Sequence, residues 1–158
     1  MFGRPFPGFL GLSVLPVLFL SFAGTAPAQS ASVCAVSPDE YLNARLAVWR
    51  QRLKLDDWKI SIVPSHPDDL KPGTLGHIHW DADKKTASIR VLDASDYQLA
   101  CPDALNDMEV TVVHELVHLV LSSLPRSEAD RGAEEHTVNR IANALLELDR
   151  QSSPPETR

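Results

Sequence analysis

The sequence predicts an α+β domain: one helix, a small, mostly antiparallel sheet of three strands, then two further helices. Three observations predict it. Apolar residues recur at helical spacing from Tyr41 to Leu53. They alternate at strand spacing in three short runs between Trp58 and Leu92. Beyond Pro102 they return to helical spacing in two segments.

The first helix starts at Ser37-Pro38-Asp39-Glu40, where Ser37 is a candidate N-cap, Pro38 suits the first turn and Glu40 completes a capping box. Tyr41, Leu42, Leu46, Val48, Trp49 and Leu53 carry the helix to about Leu55, and the interspersed Arg45, Arg50, Arg52 and Lys54 read as a solvated face. Trp58 to Val63 alternates as a half-buried strand, and Pro64, Pro67 and Pro72-Gly73 then break the pattern. Leu75–Trp80 and Ala87–Leu92 read as a hairpin around the polar turn Asp81 to Lys85. Pro102 to Asn106 leads into an apolar helix over 105–123 that ends before Pro125. It is hydrophobic nearly all round, as expected of a helix in the middle of a core. A polar connection, Pro125 to Gly132, precedes a last helix from Glu134 to Leu148, with Val138, Ile141, Ala142, Leu145 and Leu148 expected inward.

The 158 residues suit one compact domain. Residues 1–28 carry the order of a secretory signal peptide: Arg4, an apolar run from Phe9 to Phe22, then Ala26-Pro27-Ala28 as a cleavage site. Pro16 interrupts that run, which is shorter than the roughly 20 residues of a spanning helix. The expected layout is therefore a leader over 29–37, a domain over 38–149 and a disordered tail over 150–158, exported to the periplasm or secreted, without stable membrane insertion after cleavage. Without Arg4, 14 of the 15 basic residues remain against 21 acidic ones, and no basic cluster stands out. Nucleic acid is thus not an expected partner, and a monomer is expected. The two cysteines, Cys34 and Cys101, are expected to form a disulfide in an oxidising compartment. It would close a loop of roughly 70 residues and stabilise the fold by about 4 kcal/mol in the chain-entropy model.

The chemistry concentrates at His114-Glu115-Leu116-Val117-His118. On a helix, residues i and i+4 lie one turn apart on one face, so two imidazoles can share one zinc ion. Glu115 stands where a carboxylate can deprotonate a zinc-activated water. Between Val112 and Leu121 these three are the only polar side chains. Burying them without partners would be costly, and a merely solvated face would have spread further along the helix.

A catalytic zinc takes a third protein ligand and keeps one open position. The next helix offers Glu134, Glu135 and His136. Glu135 is preferred, because it shares the face of Val138 and Ala142 and has Asn139 one turn later to orient a metal-binding histidine. Glu134 and His136 are the alternatives. His77 and His79 point to one face of a strand and could make a second metal site, although such a pair is more often a surface feature. His77, His79, Tyr97 and His136 are candidate oxyanion donors, and His66, between prolines, is incidental.

His114-Glu115-x-x-His118 followed by Glu135 on the next helix resembles the gluzincin clan of zinc metallopeptidases in a minimal, single-domain form. Trp58-Lys59-Ile60 ahead of a hairpin, and Glu134-Glu135 ahead of Val138-Asn139-Arg140-Ile141-Ala142, are similar to short bacterial and phage proteins bearing the same zinc motif. The resemblance covers most of residues 38–148, and its specific part is the zinc motif. It implies an antiparallel sheet over an active-site helix, with the hairpin of residues 74–92 lining a peptide cleft by strand addition. The expected function is an exported peptidase with one zinc per chain on His114, His118 and Glu135, with Glu115 as general base and a peptide or protein as substrate. The alternative is a zinc-stabilised module that binds peptides without cutting them.

Overall fold

The computed structural model describes residues 34–125 and 131–152. The segment read as a signal peptide, residues 29–33 of the leader, and residues 153–158 of the tail lie outside the described residues. The chain runs α1 (Pro38–Arg52), β1 (Lys59–Ser65), β2 (Gly76–Asp81), β3 (Thr86–Leu92), α2 (Cys101–Val120) and α3 (Arg131–Ser152), with short 3-10 turns at Pro67–Asp69, Ala94–Asp96 and Leu121–Ser123. This is the α+β layout the periodicity predicts.

The sheet is mixed, in the order β1-β3-β2. β2 and β3 form the expected antiparallel hairpin, while β1 joins β3 in parallel. The register lines up Ile62, Ile89 and Ile78 across all three strands. Ile89 and Val91 on the central strand are fully buried. Their face of the sheet meets α2, whose Val112, Val113 and Leu116 are also fully buried, as a helix apolar all round requires. No helix among the described residues is long and apolar enough to cross a membrane.

α1 ends three residues earlier than its apolar spacing suggests. Lys54 adopts the left-handed conformation (φ 57°), the Lys54 N–H bonds Gln51 O at 3.3 Å, and the Leu55 N–H bonds Arg50 O at 2.9 Å. That pair of bonds is a Schellman stop, and the buried Leu55 anchors it. At the other end, the Ser37 side chain makes no capping hydrogen bond, so the predicted capping box does not form. α2 begins at Cys101 rather than 105, because Pro102 sits in its first turn, where a missing N–H costs nothing. α3 runs on both sides of its predicted span. Its buried residues are Val138, Ala142 and Leu146, whereas Ile141 and Leu148 are exposed. The inward stripe follows a spacing of four, and Ile141 and Leu148 fall on its outer side.

The positive face of α1 is not simply solvated. Arg45 donates to Glu109 Oε1 at 2.6 Å and also pairs with Asp149, which Arg52 pairs with as well. Glu109, buried in α2, accepts from Trp49 Nε1 at 2.7 Å and from the Tyr41 hydroxyl at 2.6 Å. Burial, followed by the Glu109 carboxylate, pushes the Tyr41 hydroxyl up to about 12. This network ties α1 to the middle helix, and Asp149 extends it to α3. Cys34 and Cys101 form the expected disulfide, with their Cα atoms 5.4 Å apart.

Candidate metal centre

α2 presents His114 and His118 one turn apart, with ring centroids 4.8 Å from each other. Their Nε2 atoms lie 3.1 Å apart. α3 packs alongside and brings Glu135 to the same point, with Oε2 3.3 Å from His114 Nε2 and Oε1 3.3 Å from His118 Nε2. Among the described residues this is the one group of three or more His, Cys, Asp or Glu side chains able to hold a metal ion. His77 and His79 gain no third ligand there.

The far nitrogens of both rings are held from behind. His114 Nδ1 lies 3.1 Å from Asn139 Oδ1, and His118 Nδ1 lies 3.1 Å from Glu134 Oε1. With Nδ1–H donating the hydrogen bond to each oxygen, the Nε2 lone pair is left directed at the meeting point. Burial, then the neighbouring His118, lowers the pKa of His114 and keeps its ring neutral and able to ligate near pH 7. Asn139 therefore orients a histidine as its spacing predicts. Glu134 is not a member of the triad, because its carboxylate is turned to the back of His118. His136 is exposed and does not line the site.

The set fits zinc in both chemistry and spacing. Two imidazoles and a carboxylate are a donor set of catalytic zinc, with a fourth position open. Donors about 2.05 Å from a tetrahedral zinc sit roughly 3.3 Å from one another, a spacing matched by the two Nε2 atoms at 3.1 Å and by the nearer Glu135 oxygen to each ring, a different oxygen in each case, at 3.3 Å.

Glu115 lies next to the triad in sequence and in space, and only 7% of it is exposed. Burial is the largest influence on its carboxyl and pushes it up to about 7. The Glu135 charge adds to this, and nearby His118 and the N–H of Ile78 oppose it. The chain matches no protein-family model, no curated protein and no solved structure.

All of these groups line an open cleft of about 730 Å³, walled by β2 and its preceding loop, α2 and the start of α3. β2 is an edge strand, so the hairpin does border the cleft, through Gly76–Ile78 and Trp80. Of the candidate oxyanion donors, only His77 lines it. The Tyr97 hydroxyl is buried away from the cleft without a hydrogen-bond partner among the described residues, and burial, followed by the nearby Asp107 charge, raises its pKa. His66 pairs with Asp96 at 2.7 Å on the surface, away from the cleft.

Sequence reasoning missed two residues. Lys71, on the loop before β2, also borders the cleft, and nothing in its local sequence marks it. Glu134 as the partner of His118 was readable only as a competitor of Glu135.

Proposed function

We propose that the protein is an exported zinc-dependent peptidase. The observation that carries this reading is the placement of a buried carboxylate, Glu115, beside the His114–His118–Glu135 triad on the wall of an open cleft. A structural site has no use for an acid held there at the cost of burial. Zinc on the triad would supply a Lewis acid that makes water nucleophilic at neutral pH. Glu115 takes the proton that water loses on attacking the scissile carbonyl and hands it to the departing amine. Asn139 and Glu134 keep the two imidazoles in the ligating tautomer. The edge of β2 offers main-chain groups to an extended peptide or protein substrate, and the Cys34–Cys101 bridge is in keeping with export to an oxidising compartment.

The test is zinc stoichiometry and hydrolysis of a quenched fluorescent, unstructured polypeptide by wild type and Glu115→Gln. The expected result is about one zinc per chain in both and cleavage by wild type alone. Equal cleavage by the variant removes Glu115 from the reaction, and a wild type that loads zinc but cuts nothing leaves a peptide-binding module.

A further inference from the structure

We infer that Gly76 is a positioning residue: its close approach to Thr111 sets the edge strand so that the Ile78 amide holds Glu115. The inference rests on the peptidase reading for what Glu115 does, and on geometry for how it is held.

β2 lies against α2 in a matched register. Gly76 and Ile78 are two apart and face the same side of the strand, while Thr111 and Glu115 are four apart and share one face of the helix. Two strand residues advance about 6.6 Å, and four helix residues advance about 6 Å. A contact at Gly76–Thr111 therefore places residue 78 opposite residue 115, where both line the cleft and the Ile78 amide lowers the pKa of the Glu115 carboxyl. As β2 is an edge strand among the described residues, its outward amides face no neighbouring strand there.

The spacing is set by the absence of a side chain. A Cβ on Gly76 would stand 2.5 Å from Arg90 O and 2.5 Å from Thr111 Cγ2. One obstacle is the backbone of β3. The other is a methyl group fixed by the hydrogen bond from Thr111 Oγ1 to Asp107 O at 3.1 Å. Neither can swing aside as the end of a long side chain would, so any side chain at 76 drives β2 away from α2. The ligands His114, His118 and Glu135 are on α2 and α3 and do not depend on that spacing. Moving β2 thus separates the Ile78 amide from the base without disturbing the metal ligands.

The experiment is residue-resolved amide hydrogen exchange on the full chain, with zinc stoichiometry and hydrolysis of the same quenched polypeptide measured alongside. Glu115→Ala should speed exchange of the Ile78 amide by about tenfold or more, because it loses its acceptor. Gly76→Ala should do the same while the Ile89 and Val91 amides inside the sheet stay protected. It should also keep one zinc and lose about 10²-fold in turnover, as a misplaced catalytic group does. Thr111→Ile adds bulk from the helix side and should reproduce the Ile78 effect if Gly76→Ala does not fold, whereas Thr111→Val, which keeps the methyl, should not.

An Ile78 amide indifferent to Glu115→Ala overturns the inference. So does deprotection of Ile78, Ile89 and Val91 together in both Gly76→Ala and Thr111→Ile, which marks a merely structural glycine. If wild type cleaves nothing yet the exchange pattern holds, the peptidase reading fails and the Gly76 geometry survives.

Discussion

Glu134 Oε1 lies 3.1 Å from Nδ1 of His118, on the side of the ring opposite Nε2, which faces Glu135. Two adjacent acids thus reach opposite nitrogens of one imidazole, and they should fail differently. Glu135→Ala removes a donor from the triad and should lose tight zinc binding. Glu134→Ala leaves all three donors and should keep one zinc at about 10- to 100-fold weaker affinity. His136→Ala should change nothing. Competition titration with a chromophoric chelator separates the three, and a Glu134→Ala protein with no bound zinc would reverse the two roles.

The Glu115 carboxyl makes the metal-free protein sensitive to pH in a defined direction. Its pKa is raised from 4.5 to about 7 in the fold, so its contribution to stability is complete below pH 4.5 and is lost as pH rises through about 7. Glutamine mimics the protonated acid at every pH. Glu115→Gln should therefore match wild type near pH 4.5 and exceed it at pH 8 by up to about 3 kcal/mol. Urea unfolding at both pH values in the presence of a chelator measures the difference. A gap that does not change with pH would show that burial is not what perturbs Glu115.

The legible part of this protein is the part coded by local spacing. His114, Glu115 and His118 could be read because a four-residue step on an apolar helix leaves three polar groups with no bland explanation. Asn139 could be read because it lies one turn from Glu135. What could not be read depends on partners distant in the chain. Tyr41, Arg45 and Trp49 follow one another at steps of four and all present donors, yet only the fold shows that Glu109 accepts from each of them. The parallel pairing of β1 with β3 is likewise a contact between strands far apart in the chain, with no turn joining them to signal it. Ile141 and Leu148 were misplaced because an apolar residue beside a true stripe looks the same as one within it.

Glu109 should be the most costly single polar residue to remove outside the metal centre. Glu109→Ala leaves the Trp49 indole N–H and the Tyr41 hydroxyl without their acceptor, and the Arg45 guanidinium with Asp149 alone, at a site where Trp49 is 1% exposed. Loss of one partner from such a buried ionic network costs about 3–5 kcal/mol. Tyr41→Phe removes a single bond and should cost about 1 kcal/mol. Chemical denaturation checks both values. Similar small losses for the two would mean that water replaces Glu109 at little cost.

The Cys34–Cys101 bridge joins the leader to the first residue of α2, more than three turns ahead of His114. It closes a loop with a sequence separation of 67, so its removal should cost about 4 kcal/mol. Replacing both cysteines with serine should then lower Tm by roughly 15 °C or more. The triad lies on α2 and α3 alone, so the zinc affinity of the folded fraction should be unaffected. By linkage, free zinc at about a thousand times its Kd adds roughly 4 kcal/mol and should restore most of the lost stability. Thermal melts of the double serine variant with and without zinc test both statements. An unchanged Tm would remove the bridge from the stability of the fold, and a variant that folds but binds no zinc would show that the bridge holds the ligands of α2 in place.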